Sequence, residues 1–209
     1  MQARVFHIKA CHNLPPESNW REQLIDLLGS KPRRLSRWCE LGMFGALSCL
    51  KKSGQFQLSS EVSLRVYSEY GTIAATRSAL EQACEYLPMP FTFMQTQPGQ
   101  LFNALGTAIG WHGDGYSTAY GDRQRGELAL LHSFTQSALL AWVDEELELI
   151  SRWIWLEDVT PNTNTNSPNK NSPNKNAIIE WRAIDSIFQT SAAARWLKVD
   201  AEHNIFEAY

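Results

Sequence analysis

Ser137-Ala138-Leu139-Leu140-Ala141-Trp142-Val143 runs seven residues without a charge, and Asp144-Glu145-Glu146 stops it. A run this short and this apolar reads as a strand buried on both faces, because a half-buried strand would alternate. Such strands belong to covered sheets. The rest of the chain therefore has to supply neighbouring strands and the helices that cover them.

Working upstream, residues 116–120 and 63–70 are β-rich and end at Gly121 and Gly71. Helical spacing fills the gaps between these runs. Residues 123–135 place Leu128, Leu131 and Thr135 in step, and Pro98 opens a helix with Leu101, Phe102, Leu105, Ala108 and Ile109 inward. Residues 72–86 align Ile73, Leu80, Ala83 and Cys84, with Leu87 following. Leu87-Pro88-Met89-Pro90 breaks that helix, and Phe91-Thr92-Phe93-Met94 reads as a short extended piece. Trp111-His112-Gly113-Asp114-Gly115 is a turn. Residues 35–52 form a helix apolar nearly all round, which belongs inside a protein. A short amphipathic helix at 20–28 and a strand at 3–9 complete this part. Strands alternating with helices of this length argue for βαβ units, so the expected class is α/β: a mixed, mostly parallel sheet covered by helices.

Downstream of Glu146 the texture changes. Residues 149–156 and 177–184 read as a C-terminal β hairpin around a polar tract at 160–176. There Asn166-Ser167-Pro168-Asn169-Lys170 is repeated at once as Asn171-Ser172-Pro173-Asn174-Lys175. The tract has no large apolar side chain to bury, so a disordered tip is expected. Ala192-Ala193-Ala194-Arg195-Trp196-Leu197 reads as a helix packed on the sheet. The chain is expected to be one domain, 1–209, with a core at 1–146 and an extension at 147–209.

Composition narrows the function. The formal charge is −3 and the basic residues look scattered, which argues against a nucleic-acid partner. No stretch approaches the ~20 apolar residues of a membrane span. The start, Met1-Gln2-Ala3-Arg4-Val5-Phe6-His7-Ile8, reads as a strand and not as a secretory leader. Four cysteines, Cys11, Cys39, Cys49 and Cys84, show no CxxC pair and no histidine at ligand spacing. Buried free thiols, a reducing, cytoplasmic setting, and no metal or cofactor are the expectations. Eight Trp and nine Phe carry large apolar areas that a deep core or a partner surface must absorb.

The order of pieces from Leu35 to Asp144 resembles the N-terminal half of a β-ketoacyl synthase, a thiolase-type fold. The buried helix from Leu35-Ser36-Arg37-Trp38 precedes the strand Leu64-Arg65-Val66-Tyr67-Ser68, which turns at Glu69-Tyr70-Gly71-Thr72. Pro90-Phe91-Thr92-Phe93-Met94 and Gln97-Pro98-Gly99-Gln100 follow. Ile109-Gly110-Trp111-His112-Gly113-Asp114-Gly115-Tyr116-Ser117-Thr118-Ala119 resembles the family's approach to its nucleophile. Leu139-Leu140-Ala141-Trp142-Val143-Asp144-Glu145 resembles the strand that ends in a Gly-Gly-x-Glu turn. The likeness spans about two-thirds of the chain and rests on the ordered series.

Two departures shape what the resemblance implies. In the family a cysteine after Thr-Ala accepts the acyl group; here Tyr120 follows Thr118-Ala119. A phenol, with a reference pKa near 10, is a poorer acyl carrier than a thiol near 8.5. The family's catalytic histidines come from a second half that this chain does not include, and His112 and His132 stand in no matching context. The resemblance thus implies a non-catalytic, chain-length-factor-like subunit of the kind found with aryl polyene and other polyketide or fatty-acid-like pathways. Its implied partner is a full-length β-ketoacyl synthase in a heterodimer, with acyl carrier protein as a further candidate. The implied interface and tunnel-wall residues are Phe91, Phe93, Met94, Gln97, Gln100, Phe102, Tyr116, Thr118 and Tyr120. Ordinary core packing is the alternative for the apolar members of that set. An independent acyl-thioester enzyme, or a self-associating scaffold or carrier-protein binding module, remains the alternative for the whole.

Overall fold

The computed structural model describes residues 3–85, 89–160, 180 and 182–209. The chain enters as β1 (Arg4–His12) and passes through α1 (Trp20–Leu28) and α2 (Arg37–Ser53) to β2 (Val62–Ser68). Three helices follow, α3 (Ile73–Glu85), α4 (Pro90–Gln95) and α5 (Gly99–Ile109), before β3 (Gly115–Ala119). Helix α6 (Arg123–His132) leads to β4 (Ser137–Asp144) and β5 (Ile150–Asp158). The chain closes with β6 (Arg182–Ile184), a 3₁₀ turn (Ile187–Gln189), β7 (Trp196–Val199) and β8 (Ile205–Ala208).

The eight strands among the described residues join one sheet in the order β3-β2-β4-β5-β1-β7-β8-β6. The sheet is mixed. Its parallel part is β3-β2-β4, and every other neighbouring pair runs antiparallel. The antiparallel share follows from connection length: residues 145–149 are too few for a crossover, so β5 must turn back along β4. Of the expected hairpin between 149–156 and 177–184, residues 177–179 and 181 lie outside the described residues, and the described end of its second run does not pair with the first. β5 lies between β4 and β1, whereas β6 pairs with β8 at the far edge. The tract 161–176, expected to be the disordered tip, lies outside the described residues.

Helix α2 explains how the first face is filled. Ser36 caps it, its Oγ accepting from the Cys39 N–H at 3.1 Å, while Lys51 and Lys52 suit the negative C-terminal end. Apolar on nearly all sides, it lies between the sheet and α1, with α5 alongside. A Cβ on Gly45 would sit 2.4 Å from Trp153 Cδ1 and 2.2 Å from Ser151 Oγ, so only glycine lets α2 settle on β5. The opposite face is covered by α6 and by the segment around the 3₁₀ turn, over Tyr67, Leu140, Trp142 and Ile154.

Several local expectations need correction. Phe91–Met94 is helical within α4: Pro90 occupies the first turn, where its missing N–H costs nothing. Residues 192–197 are not a helix; Trp196-Leu197-Lys198-Val199 alternates in and out and pairs with β1. Helix α3 has no buried residue, and Leu80, Ala83 and Cys84 are exposed. Ala108 faces solvent, while Leu101, Leu105 and Ile109 do point inward. No helix among the described residues is long and apolar enough to cross a membrane.

Candidate functional site

Open α/β sheets present functional groups beyond the carboxyl ends of their parallel strands. Here those ends are Ser68, Ala119 and Asp144, on β2, β3 and β4. The buried Asp144 carboxylate organises them. It accepts from Ser68 Oγ at 2.6 Å, Glu69 N–H at 2.9 Å, Tyr70 N–H at 3.1 Å and Trp142 Nε1 at 2.7 Å. The turn after β2 is therefore built around one charge, and Ser68 Oγ in addition accepts from Gly71 N–H at 2.7 Å. Gly71 takes φ 61°, a left-handed conformation that suits glycine.

Tyr120 follows β3 beside this turn. Its N–H donates to Ser68 O at 3.2 Å, and its carbonyl accepts from the Tyr67 hydroxyl at 3.0 Å. Burial pushes the Tyr67 phenol up from its ordinary pKa. A Cβ on Gly126 would fall 2.3 Å from the Tyr67 ring, so glycine allows α6 to approach β2. The start of α6 is capped by Asp122, whose carboxylate accepts from Arg125 N–H at 3.2 Å.

One turn into α6, Glu127 is buried. Its carboxylate accepts from Ser186 Oγ at 2.7 Å and Ile187 N–H at 2.9 Å, with Arg123 Nε at 3.5 Å. Burial raises its pKa, and those two hydrogen bonds and the Arg123 charge oppose the rise. Arg123 and Arg152 both lie over the Trp142 ring, at 5.5 and 5.4 Å. Nothing in the local sequence signals this tie, because its partner lies 59 residues downstream.

The nine candidate residues fall into two groups. Tyr116 and Thr118 share one side of β3, beside Arg65 and Tyr67 on β2, and Tyr120 follows just beyond the strand. Tyr116 and Tyr120 are 44% and 43% exposed. Phe102 lies on the other face, partly buried, where a Cβ on Gly115 would come 2.9 Å from its Cγ. On α4, Phe91, Phe93 and Met94 are 45%, 61% and 49% exposed. Gln97 is exposed and donates to Thr96 Oγ1 at 3.0 Å. Gln100 is partly buried, its Oε1 without a partner among the described residues.

Other reactive groups lie elsewhere. The cysteines are free: Cys11, Cys39 and Cys49 are buried, while Cys84 is exposed, against expectation. Burial pushes the Cys39 thiol up to about 12 and raises those of Cys11 and Cys49 too, which leaves them unreactive near neutral pH. His112 is exposed in its turn. Among the described residues no group of three or more His, Cys, Asp or Glu could hold a metal ion.

No family model matches the chain, and no curated protein matches it either. Solved structures do. One is a ketosynthase in complex with its chain length factor from Xenorhabdus doucetiae: TM-score 0.50 and 18% identity, over 75% of this chain and 79% of that one. The two chains are thus of nearly equal length. Another is a type II polyketide synthase acyl-carrier protein in complex with its ketosynthase bound to the hexaketide. It gives a TM-score of 0.51 and 10% identity, over 75% of this chain and 63% of that one. At these identities the likeness is one of fold, and the fold this chain shares is that of chains in ketosynthase assemblies.

Proposed function

We propose that the chain is a chain-length-factor-like subunit, one that pairs with an active β-ketoacyl synthase and runs no condensation itself. The observation that carries this reading is the open edge at β3. Among the described residues the strand ends the sheet, with no described strand on its outer side and exposed Tyr116 and Tyr120 beside that side. A free strand edge flanked by aromatic side chains invites a partner strand. The fold shared with a chain of a ketosynthase–chain length factor complex supports a synthase as that partner. In this reading Phe91, Phe93, Met94, Gln97, Gln100 and Phe102 extend the contact and shape the end of the partner's acyl tunnel, and acyl carrier protein is the second partner.

The absence of catalysis rests on Tyr120 standing where an acyl-accepting thiol is needed. The Asp122 carboxylate supports this. It already takes an N–H at the start of α6 and puts negative charge where a thiolate or oxyanion would need positive potential. Free thiols support a reducing, cytoplasmic workplace.

An assay of carbon dioxide release from malonyl carrier protein tests the reading. The purified chain alone should be inert, the synthase should need the chain for full-length product, and Tyr120→Cys should stay inert without the synthase. Turnover by the lone chain would favour an independent acyl-thioester enzyme.

A further inference from the structure

Two histidines far apart in sequence meet at the surface. His132 ends α6, and His203 lies in the turn between β7 and β8. Their ring centroids are 6.0 Å apart, with the ring planes at 86°. His132 is exposed and His203 half-buried. Neither imidazole makes a hydrogen bond or ion pair with a described residue, so their ring nitrogens are free to take a ligand. His203 holds φ 69°, a backbone region that side-chain-bearing residues rarely adopt. The Asp200 carboxylate locks the turn around it, accepting from Glu202 N–H at 2.9 Å, Asn204 N–H at 2.9 Å and Asn204 Nδ2 at 3.0 Å. The second imidazole is thus carried on a rigid turn beside the end of a helix.

We infer that His132 and His203 together bind one divalent transition-metal ion of the zinc class, which clamps the β7–β8 turn to the end of α6. Zinc–nitrogen bonds run about 2.0–2.1 Å, so two imidazoles sharing one ion hold their centroids roughly 5–6 Å apart. The pair already stands near that spacing. Imidazole nitrogen suits zinc, copper and nickel, whereas magnesium and calcium take oxygen ligands. Among the described residues no third His, Cys, Asp or Glu completes a cluster, so water fills the remaining positions. The nearby Arg4 charge opposes a cation, but its guanidinium is engaged by Asp158 at 2.6 Å and by the Leu131 and Phe134 carbonyls. Ordinary edge-to-face ring packing is the competing account, and it brings no dependence on metal. The inference rests on these two residues alone, so a failure of synthase pairing at β3 would leave it standing.

The test uses the full chain without a histidine tag, stripped with EDTA, in a Cys84→Ser background that removes the exposed thiol as a rival ligand. Isothermal titration with zinc chloride should give one ion per chain. At about 100 µM, zinc should raise Tm by at least about 3 °C, because the ion binds the folded pair in preference to the unfolded chain. Magnesium chloride should do neither. His132→Gln and His203→Asn each remove one imidazole, and asparagine still accepts a positive φ. Each should weaken zinc binding at least about tenfold and abolish the rise in Tm. His112→Gln, which alters an exposed histidine elsewhere, should change neither. Absence of zinc binding, undiminished binding in either pair variant, or binding without a rise in Tm would overturn the inference.

Discussion

Asp144 accepts four hydrogen bonds at the end of β4, two from backbone N–H groups of the turn after β2. Truncation to alanine would strand those donors in a buried place. Asp144→Ala should therefore cost about 3 kcal/mol or more in urea unfolding, and a loss below about 1 kcal/mol would contradict the role given to it. The sequence marked this residue only as the stop of an apolar strand; its partners at the end of β2 and in the turn after it are 74 to 76 residues away. His12 makes a separate prediction. It is 7% exposed, neither ring nitrogen has a hydrogen-bond partner among the described residues, and its ring meets Phe44 edge-on. Burial, helped by the nearby Lys52 charge, lowers its pKa to about 4. The unfolded chain takes up a proton near pH 6.5 and the folded chain does not. His12 therefore costs no stability above pH 6.5, and stability falls as pH drops from 6.5 toward 4, by up to about 3 kcal/mol. His12→Phe should flatten that part of the stability–pH curve; an unchanged slope would contradict the assignment.

At the scale of elements, the most legible pieces were those whose local pattern agreed with their surroundings. Helices α1 and α2 lie where the apolar spacing put them, since both pack their apolar sides into one core. Strand β4 is buried almost throughout, as its unbroken apolar run required. Helix α4 misled because Phe91 and Phe93 alternate as in a strand, yet both are exposed, so their alternation marks no buried face. The Ala192–Ala194 run misled in the other direction, because pairing with β1 outweighs helix propensity at the Trp196 stretch. Close approaches between elements are testable. Gly45→Ala would push a Cβ into Trp153 and Ser151, and should cost about 2 kcal/mol or more through overpacking. Glu127→Ala should free the segment at Ser186 and Ile187, speeding hydrogen exchange at Ile187 N–H at least about tenfold while β4 stays protected. Unchanged exchange at Ile187 would show that the buried carboxylate does not hold that segment.

For the molecule as a whole, the two faces of the sheet are unequal in what the sequence revealed. The α2 face could be read from helical spacing. The other face could not, because residues beyond 180 close it through long-range ties: Glu127 to Ser186, Glu207 to Ser191 at 2.7 Å, and Asn13 to the Thr190 carbonyl at 2.6 Å. With both faces covered, the β3 edge and the exposed α3–α4 surface are left for a partner, and this is where most of the candidate interface residues lie. The candidate site was legible as a set of residue types along the chain, but its division between two sides of the sheet was not, since strand phase depends on pairing. Pairing through β3 is tested most directly by native mass spectrometry of the chain co-expressed with the condensing synthase of its own cell. A one-to-one complex is predicted, abolished by Ser117→Pro, which removes a backbone donor from the β3 edge and disrupts that strand. A lone homodimer that ignores the synthase, or a complex that survives a disrupted β3, would contradict the account.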